Sequence, residues 1–230
     1  MSSKSLTIFF PCFNEEGNVQ KAVEAAIEAA QLITDDYEVI VVNDGSVDQT
    51  GPIADKIAAE NDRVRVVHHG NNRGYGIALQ SGYRNASKDA VFYTDGDLQF
   101  DIKEITKLWP LLDDYDVVTG YRIKRMDPFI RKLNSYGWTS LTKMLFGLPV
   151  RDVNCAFKLF RREVIADMEL KSEGALIDAE VFARAKKADY RITEIGVHHY
   201  PRQTGSQTGA NPLVIFVAFW ELFKLWWKLR

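Results

Sequence analysis

The sequence has few cysteines and no long apolar run, and both absences exclude classes of protein. Its two cysteines, Cys12 and Cys155, lie far apart and form no CxxC motif, which excludes a cystine-stapled scaffold and a zinc ribbon and favours a reducing compartment. The longest uninterrupted apolar stretch, Leu213 to Trp220, has eight residues, whereas a bilayer-spanning helix needs roughly 20. We therefore expect no membrane-spanning helix.

An excess of charge of one sign is also missing. Lys plus Arg number 29 and Asp plus Glu number 31 in 230 residues, so the formal net charge is −2. This balance argues against bulk electrostatic capture of nucleic acid. The N-terminal segment has neither the apolar core nor the small-residue cleavage site of a signal peptide, so we expect no targeting segment.

The first half of the chain alternates between strand and helix patterns. Strands are predicted at 6–10, 37–42, 64–67 and 90–94, with amphipathic helices at 19–33, 50–61 and 75–86. We expect Asn14, Glu15 and Glu16 to supply the cap and first-turn acids of the first helix. The alternation indicates parallel βαβ units and an α/β sheet.

The second half is less regular. Strands are predicted at 116–119 and 157–160, helices at 128–146 and 179–187, and an extended segment at 191–200. No repeat or linker interrupts the chain. We predict one domain, residues 1–209, followed by an amphipathic helix at 210–230.

Polar, glycine-containing segments follow each of the first four predicted strands, at 11–16, 43–48, 70–76 and 95–99. In open α/β sheets, ligands bind beyond the carboxyl ends of the strands. Any single segment is explained by an ordinary turn, because Asn, Asp and Gly are turn residues, but four at one edge favour a ligand site. The candidate ligand-binding residues in these segments are Pro11, Asn14, Glu15, Asp44, Arg73, Gly74, Asp95 and Gly96.

The sharpest of these segments is Asp95-Gly96-Asp97. Two carboxylates one residue apart at the end of an apolar strand repel each other unless a cation or a proton lies between them. Gln99 lies on the same side of an extended chain and adds an oxygen ligand. Such hard oxygen ligands suit Mg²⁺ or Mn²⁺. A lone DxD motif is also typical of a solvated turn, but its position after an apolar strand favours the cation.

The sequence motifs of other nucleotide-binding and hydrolase sites are incomplete or absent. Residues 70–76 contain GxG but lack the third glycine of a dinucleotide fingerprint, and neither a P-loop nor a GxSxG motif occurs. Asp44 closes a strand, where a carboxylate accepts a hydrogen bond from a base or a ribose hydroxyl, or else caps the helix that follows.

Together these segments resemble the inverting GT-A glycosyltransferases, specifically the branch of dolichol-phosphate mannose synthase and the polyprenyl-phosphate glycosyltransferases. The resemblance is carried by residues 9–19, 41–50, 70–86, 93–101, 151–162 and 200–209. It implies a Rossmann-like, mostly parallel sheet with flanking helices. It also implies that Pro11 and Glu15 line the nucleotide pocket and that Asp44 contacts the base. Asp95, Asp97 and Gln99 would hold the divalent metal, and Arg202 would approach a phosphate.

A basic segment supports an anionic acceptor. Arg122, Lys124, Arg125, Arg131 and Lys132 stand against one acid, Asp127. The forked donors of arginine match phosphate, so Arg122, Arg125 and Arg131 are candidates for the acceptor phosphate, unless the segment is simply a solvated loop. Asp152 is a further candidate, either to orient the acceptor or to act as a base.

The last segment, residues 213–229, predicts a helix whose apolar surface is covered by a membrane or by another protein. On a helix, Glu221, Lys224 and Lys228 fall in a stripe about 60° wide, and the rest of 213–229 is apolar. Trp, Phe, Leu and Lys together are typical of interfacial helices. The alternatives are contact with a second subunit or with a separate membrane protein.

The sequence therefore predicts a metal-dependent transferase that moves a sugar from a UDP- or GDP-sugar to a polyprenyl phosphate with inversion, on the cytoplasmic face of a membrane. One alternative keeps the donor and changes the acceptor to a saccharide or protein. Another is a non-catalytic scaffold that binds nucleotide sugars.

Overall fold

The computed structural model describes residues 4–123, 129–166, 168–202 and 212–229. The strands are Leu6–Cys12 (β1), Tyr37–Asn43 (β2), Val64–His68 (β3), Ala90–Thr94 (β4), Val117–Ile123 (β5), Phe157–Arg161 (β6) and Ile192–His198 (β7). The helices are Val19–Gln31 (α1), Thr50–Glu60 (α2), Tyr75–Asn85 (α3), Ile105–Leu108 (α4), Phe129–Phe146 (α5), Arg162–Ala166 (α6), Ile177–Lys187 (α7) and Pro212–Leu229 (α8). Short 3₁₀ turns at Ile102–Glu104 and Trp109–Asp113 flank α4.

Within the described residues the strands form a single sheet in the order β3-β2-β1-β4-β6-β5-β7. The first four strands run parallel to one another. β6 runs antiparallel to both β4 and β5, and β7 pairs in parallel with β5. The predicted α/β class, with a mixed, mostly parallel sheet and flanking helices, is confirmed.

The core lies where the central strands meet the helices. β1, β2 and β4 are apolar almost throughout because they are covered on both faces. Phe9 of β1 packs edge-on against Tyr83 of α3 and stacks with Tyr93 of β4, with ring centroids 5.1 and 5.7 Å apart. This packing fixes α3 over the two strands whose ends carry the acidic residues.

Two local predictions at the first strand were wrong. Asn14, Glu15 and Glu16 lie before α1, which begins at Val19 with no acid in its first turn. β1 also continues through Pro11 to Cys12. The proline is tolerated because β4 pairs with β1 only as far as Phe9, so its missing N–H breaks no ladder on that side.

The C-terminal helix packs against α7 and α5. Leu222 and Leu225 are buried in that contact, whereas Trp220, Phe223 and Trp227 are 59%, 50% and 69% exposed. Among the described residues, no helix is both long enough and apolar enough to cross a membrane. The division into residues 1–209 and 210–230 stays a prediction.

Candidate active site

The loops after β1 and β2 are held together by side chain to backbone hydrogen bonds. The Asn14 amide oxygen accepts from Val47 N at 3.0 Å, and Asn14 N donates to Ser46 Oγ at 3.0 Å. Glu15 N donates to Thr50 Oγ1 at 2.8 Å. Asn14 adopts a left-handed conformation with φ 55°, which asparagine tolerates better than most residues. Asn14 therefore joins two edge loops rather than capping a helix.

Asp44, at the end of β2, anchors the loop that follows β3. One of its carboxylate oxygens accepts from His69 Nδ1 at 2.6 Å and from Arg73 N at 3.0 Å, and the other accepts from Gly74 N at 3.0 Å. His69 also contacts Ser81 Oγ at 2.9 Å. The predicted alternative, in which Asp44 caps the next helix, is wrong, because its carboxylate binds the 70–76 loop instead.

Two glycines allow these loops to approach. Gly45 has φ +69°, and a side chain on it would collide with the backbone of the 71–72 segment. Gly74 has φ +95° immediately before α3, a conformation that favours glycine. The loops after β2 and β3 therefore form one packed unit beside the end of β1.

The acidic pair lies at the end of β4, one strand away on the other side of β1. Asp95 is partly buried, and its carboxylate accepts from Tyr75 Oη at 3.1 Å. Burial, together with the nearby charges of Asp97 and Asp178, raises the pKa of Asp95 to about 7, although Tyr75 and Lys158 act against the rise. A partly buried carboxylate with such a raised pKa favours either a proton or a cation nearby.

Gln99 ties the acidic loop to the segment after β7. Its side-chain nitrogen donates to Tyr200 O at 3.0 Å, and Tyr200 N donates to Gln99 O at 2.8 Å. Gln99 N also donates to Asp97 Oδ1 at 3.1 Å. The amide nitrogen of Gln99 is thereby engaged, which leaves its side-chain oxygen as the atom suited to a metal.

Arg202, in the segment after β7, has its guanidinium between the carboxylates of Glu15 and Asp97. Arg202 Nη2 donates to the Glu15 carboxylate, and Arg202 Nη1 lies 3.6 Å from Asp97 Oδ2. The Glu15 carboxylate also accepts from Asn18 Nδ2 at 2.6 Å. The structure thus brings the loops after β1, β4 and β7 together around one guanidinium.

Arg122, predicted for the acceptor phosphate, and Asp152, predicted as an orienting group or a base, form an ion pair with each other. Arg122 Nε lies 2.6 Å from one oxygen of Asp152, and Nη2 lies 2.7 Å from the other. Both side chains are largely buried, and such a bidentate pair fixes the guanidinium plane. Arg125 lies outside the described residues, and so does the side chain of Arg131.

A buried cluster beneath Asp95 was missed in the sequence. Lys158 of β6 is fully buried, and its Nζ contacts Asp178 Oδ1 at 2.8 Å, Tyr93 Oη at 2.9 Å and Cys155 O at 2.6 Å. Tyr93 also donates to Asp178. The sequence offered two signals for this cluster. Lys158 stands in an otherwise apolar strand, and Asp178 stands in the first turn of a buried helix.

The residues present fit a hard divalent cation if a bound ligand completes its coordination. Asp95, Asp97 and Gln99 offer the carboxylate and amide oxygens that Mg²⁺ and Mn²⁺ prefer. In the part of the chain that the structure describes, no three acidic, histidine or cysteine side chains are grouped closely enough to hold a metal by themselves. Phosphate oxygens or water would therefore have to supply further ligands.

Residues 7–168 match the family described as glycosyl transferase family 2. The chain therefore belongs to glycosyl transferase family 2, a family of transferase enzymes, and the predicted glycosyltransferase family is confirmed.

Curated relatives agree with this assignment. Glycosyltransferase AglD of Haloferax volcanii is 29% identical over 97% of this chain and 37% of its own length. The undecaprenyl-phosphate 4-deoxy-4-formamido-L-arabinose transferase of Yersinia enterocolitica is 31% identical over 88% of this chain and 62% of its own length. The chain thus spans between about a third and two thirds of these relatives.

Solved structures support the fold. Glucosyl-3-phosphoglycerate synthase from Mycobacterium tuberculosis, in complex with Mn²⁺, uridine diphosphate and glucosyl-3-phosphoglycerate, superimposes with a TM-score of 0.72. The match covers 99% of this chain and 80% of that chain at 17% sequence identity. This likeness confirms the glycosyltransferase fold of the sheet and its flanking helices.

Proposed function

We propose that this chain transfers a sugar from a UDP- or GDP-sugar to a polyprenyl phosphate, such as dolichyl or undecaprenyl phosphate, with inversion at the sugar carbon. The observation that carries the proposal is the grouping of Asp95, Asp97 and Arg202 at the carboxyl ends of the parallel strands. Two carboxylates for a cation and one guanidinium for a phosphate are what a leaving nucleoside diphosphate requires.

On the donor side, the loops after β1, β2 and β3 would bind the nucleoside, through Pro11, Asn14, Glu15, Asp44, Arg73 and Gly74. Asp95, Asp97 and Gln99 would hold Mg²⁺ or Mn²⁺. Gly96 lets the acidic loop pack against the end of β1, where a side chain would come within 2.8 Å of Cys12 Sγ. When bound, the cation would neutralise charge on the leaving diphosphate. Arg202, already placed beside Asp97, would add a second positive charge against the same group.

On the acceptor side, Arg122 would bind the lipid phosphate, with Arg125 and Arg131 nearby in sequence. A phosphate monoester has a second pKa near 6, so it is already an anionic nucleophile at neutral pH. Asp152 was predicted as an orienting group or a base. Its bidentate contact with Arg122 favours the orienting role, because both oxygens are engaged.

An inverting transfer follows from attack on the face opposite the leaving group. The acceptor oxygen would approach the sugar carbon while the diphosphate departs towards Asp95, Asp97 and Arg202. The described histidines contact protein groups. His68 contacts Asp55 and His69 contacts Asp44, while His198 contacts Glu104 and His199 packs on Phe100. A phosphate acceptor needs none of them as a base.

A lipid acceptor also requires access to a membrane. The exposed face of α8 carries Trp220, Phe223 and Trp227 beside Lys224 and Lys228, a combination typical of interfacial helices. We propose that this face lies on the cytoplasmic surface of a membrane. A second subunit or a separate membrane protein is the alternative partner for the same face.

The test is a transfer assay with purified chain in detergent. Undecaprenyl phosphate and dolichyl phosphate are each supplied with a panel of UDP- and GDP-sugars and Mn²⁺, and the release of nucleoside diphosphate is measured. We expect release that requires the lipid phosphate and is lost when the matching polyprenol replaces it. Release at the same rate without the lipid phosphate would be hydrolysis of the donor by water and would contradict a lipid-phosphate acceptor. The absence of turnover with every combination would overturn the proposal.

A further inference from the structure

The buried pair of Lys158 and Asp178 lies directly beneath the acidic pair. Asp95 directly follows β4, two positions after Tyr93. Both side chains contact α3, Asp95 through Tyr75 Oη and Tyr93 through the ring of Tyr83, so they lie on the same side of the sheet. Tyr93 Oη contacts both Lys158 and Asp178. Asp178 is therefore the next carboxylate below Asp95, on the side of the sheet that α3 and α7 cover.

Burying this pair is costly and demands a reason. Lys158 is 0% exposed, and removing an ammonium and a carboxylate from water carries a large desolvation penalty that their mutual attraction must offset. Well-packed apolar residues in place of such a pair are often neutral or stabilising. Stability alone is thus a weak explanation for keeping both charges.

The pair also has a direction. Asp178 lies in the first turn of α7. The segment just before α7 meets the start of α3, where Gly76 N donates to Glu173 O at 2.8 Å, and the neighbouring Tyr75 contacts Asp95, so the carboxylate belongs to the end of the pair on the side of the acidic loop. Lys158 lies at the back, 5.1 Å from the ring centroid of Tyr93 and 5.3 Å from that of Phe182, where Cys155 O also accepts from it. The cation is held by three acceptors and two aromatic faces.

We infer that Lys158 and Asp178 are positioning residues that form an oriented ion pair under the metal-binding loop. Asp178 adds negative potential at the site of the divalent cation, and Lys158 makes that third carboxylate tolerable in the interior. The inference rests on the proposed function, because it assumes that Asp95 and Asp97 hold a cation together with the donor diphosphate.

The test separates this role from packing. Four chains are compared with wild type: Lys158→Met, Asp178→Asn, the double variant Lys158→Met/Asp178→Asn, and the control Glu38→Gln/Arg65→Met. The control removes another ion pair, with Arg65 Nη2 2.7 Å from Glu38 Oε2, at the opposite edge of the sheet. The midpoint of urea unfolding gives stability, and spin resonance of free Mn²⁺ gives its affinity in the presence of UDP or GDP.

Each single variant leaves one buried charge unpaired, so its unfolding midpoint should fall, and the double variant should recover most of that loss. The Mn²⁺ affinities of the variants should not rank in the same order as their unfolding midpoints. We expect about a tenfold loss in Asp178→Asn, which keeps the cation without its partner, and about a threefold to fivefold loss in the double variant. The control should keep wild-type Mn²⁺ affinity.

A double variant that recovers both stability and Mn²⁺ affinity to within about twofold of wild type would reduce the pair to packing and overturn the inference alone. A wild-type chain that binds no Mn²⁺ with either nucleotide would instead contradict the proposed donor site, and the inference would fall with it.

Discussion

Arg202 donates a hydrogen bond to Glu15 across 187 positions of the chain. The same guanidinium lies 3.6 Å from Asp97, so one cation joins the loops after β1 and β4. Neither acid neighbours Arg202 in sequence. The folded sheet alone makes them a single site.

Removing this guanidinium should weaken the binding of the donor. In Arg202→Met, we expect the affinity for UDP or GDP with Mn²⁺ to fall about tenfold, because a charge-assisted contact to the diphosphate is lost. Isothermal titration measures it. Arg63→Met is the control, since Arg63 stacks on Tyr37 at the opposite edge of the sheet, with its guanidinium 4.5 Å from the ring centroid. Equal losses in both variants would contradict a role in donor binding.

The raised pKa of Asp95 predicts a pH dependence of stability. The pKa of this carboxyl is about 7 in the folded chain against 3.8 for its ordinary value. The folded state therefore binds a proton between about pH 4 and 7 that the unfolded state does not, and stability falls as pH rises through that window. Asp95→Asn should lack this component of the fall. Urea unfolding at pH 5 and pH 8 measures the difference.

Mn²⁺ should offset the same loss, since a cation replaces the proton at the site. Wild type should gain stability from Mn²⁺ at pH 8 more than at pH 5, and Asp95→Asn should gain little at either. A wild-type gain that is the same at both pH values would contradict the assignment of the cation to this carboxylate.

Asp44 should matter for stability as well as for binding. Asp44→Asn leaves one of the N–H groups of Arg73 and Gly74 without its carboxylate acceptor, which costs about 1–3 kcal/mol of unfolding free energy. Asp55→Asn is the matched control, because Asp55 pairs with His68 at 2.8 Å on the surface, where such a change is worth at most about 1 kcal/mol. Equal losses of unfolding free energy in the two variants would show that the Asp44 carboxylate contributes little to holding the 70–76 loop.

The pairing of Asp152 with Arg122 predicts a selective defect. In Asp152→Asn, the amide accepts through one oxygen only, so the guanidinium loses its fixed plane. We expect KM for the lipid phosphate to rise about tenfold while the affinity for nucleoside diphosphate stays unchanged. A variant with unchanged KM and a lower kcat would instead support Asp152 as a base.

The exposed face of α8 predicts membrane binding. Trp220→Ser/Trp227→Ser should release the chain from anionic vesicles, because both indoles are exposed next to lysines. Leu32→Ser is the control, since Leu32 is 62% exposed at the end of α1. Vesicle flotation reports the bound fraction. A chain whose oligomeric state changes with the tryptophan variants, with no change in flotation, would favour the subunit contact.

The sequence predicted the edge loops well because each is a local pattern. An apolar strand followed by Asp95-Gly96-Asp97 is visible in eight residues, and parallel strands bring such ends to one edge. The alternation of strand and helix gave the sheet for the same reason. The bounds of β3, β4 and α3 differ from the predicted bounds by at most one residue.

What the sequence could not show were contacts made by folding. Lys158 stands in a short apolar strand, where one lysine indicates only an edge, and nothing in the sequence pairs it with Asp178. The predicted cap of α1 was wrong because Asn14 and Glu16 meet partners from the loop after β2. The ion pair between Arg122 and Asp152 was not predicted either, because the two residues lie on β5 and on the loop before β6.

The central claim is that the edge of the sheet is a cation-assisted site for a nucleoside diphosphate. The most direct measurement is the thermal melt of the wild-type chain with UDP and with GDP, each with and without Mn²⁺, in detergent. A ligand that binds only the folded state at a hundredfold excess over its Kd adds about 2.7 kcal/mol. We predict a clear rise in Tm with one of the two nucleotides that requires Mn²⁺ and is lost in Asp97→Asn. A melt that neither nucleotide shifts, with or without Mn²⁺, would contradict the claim.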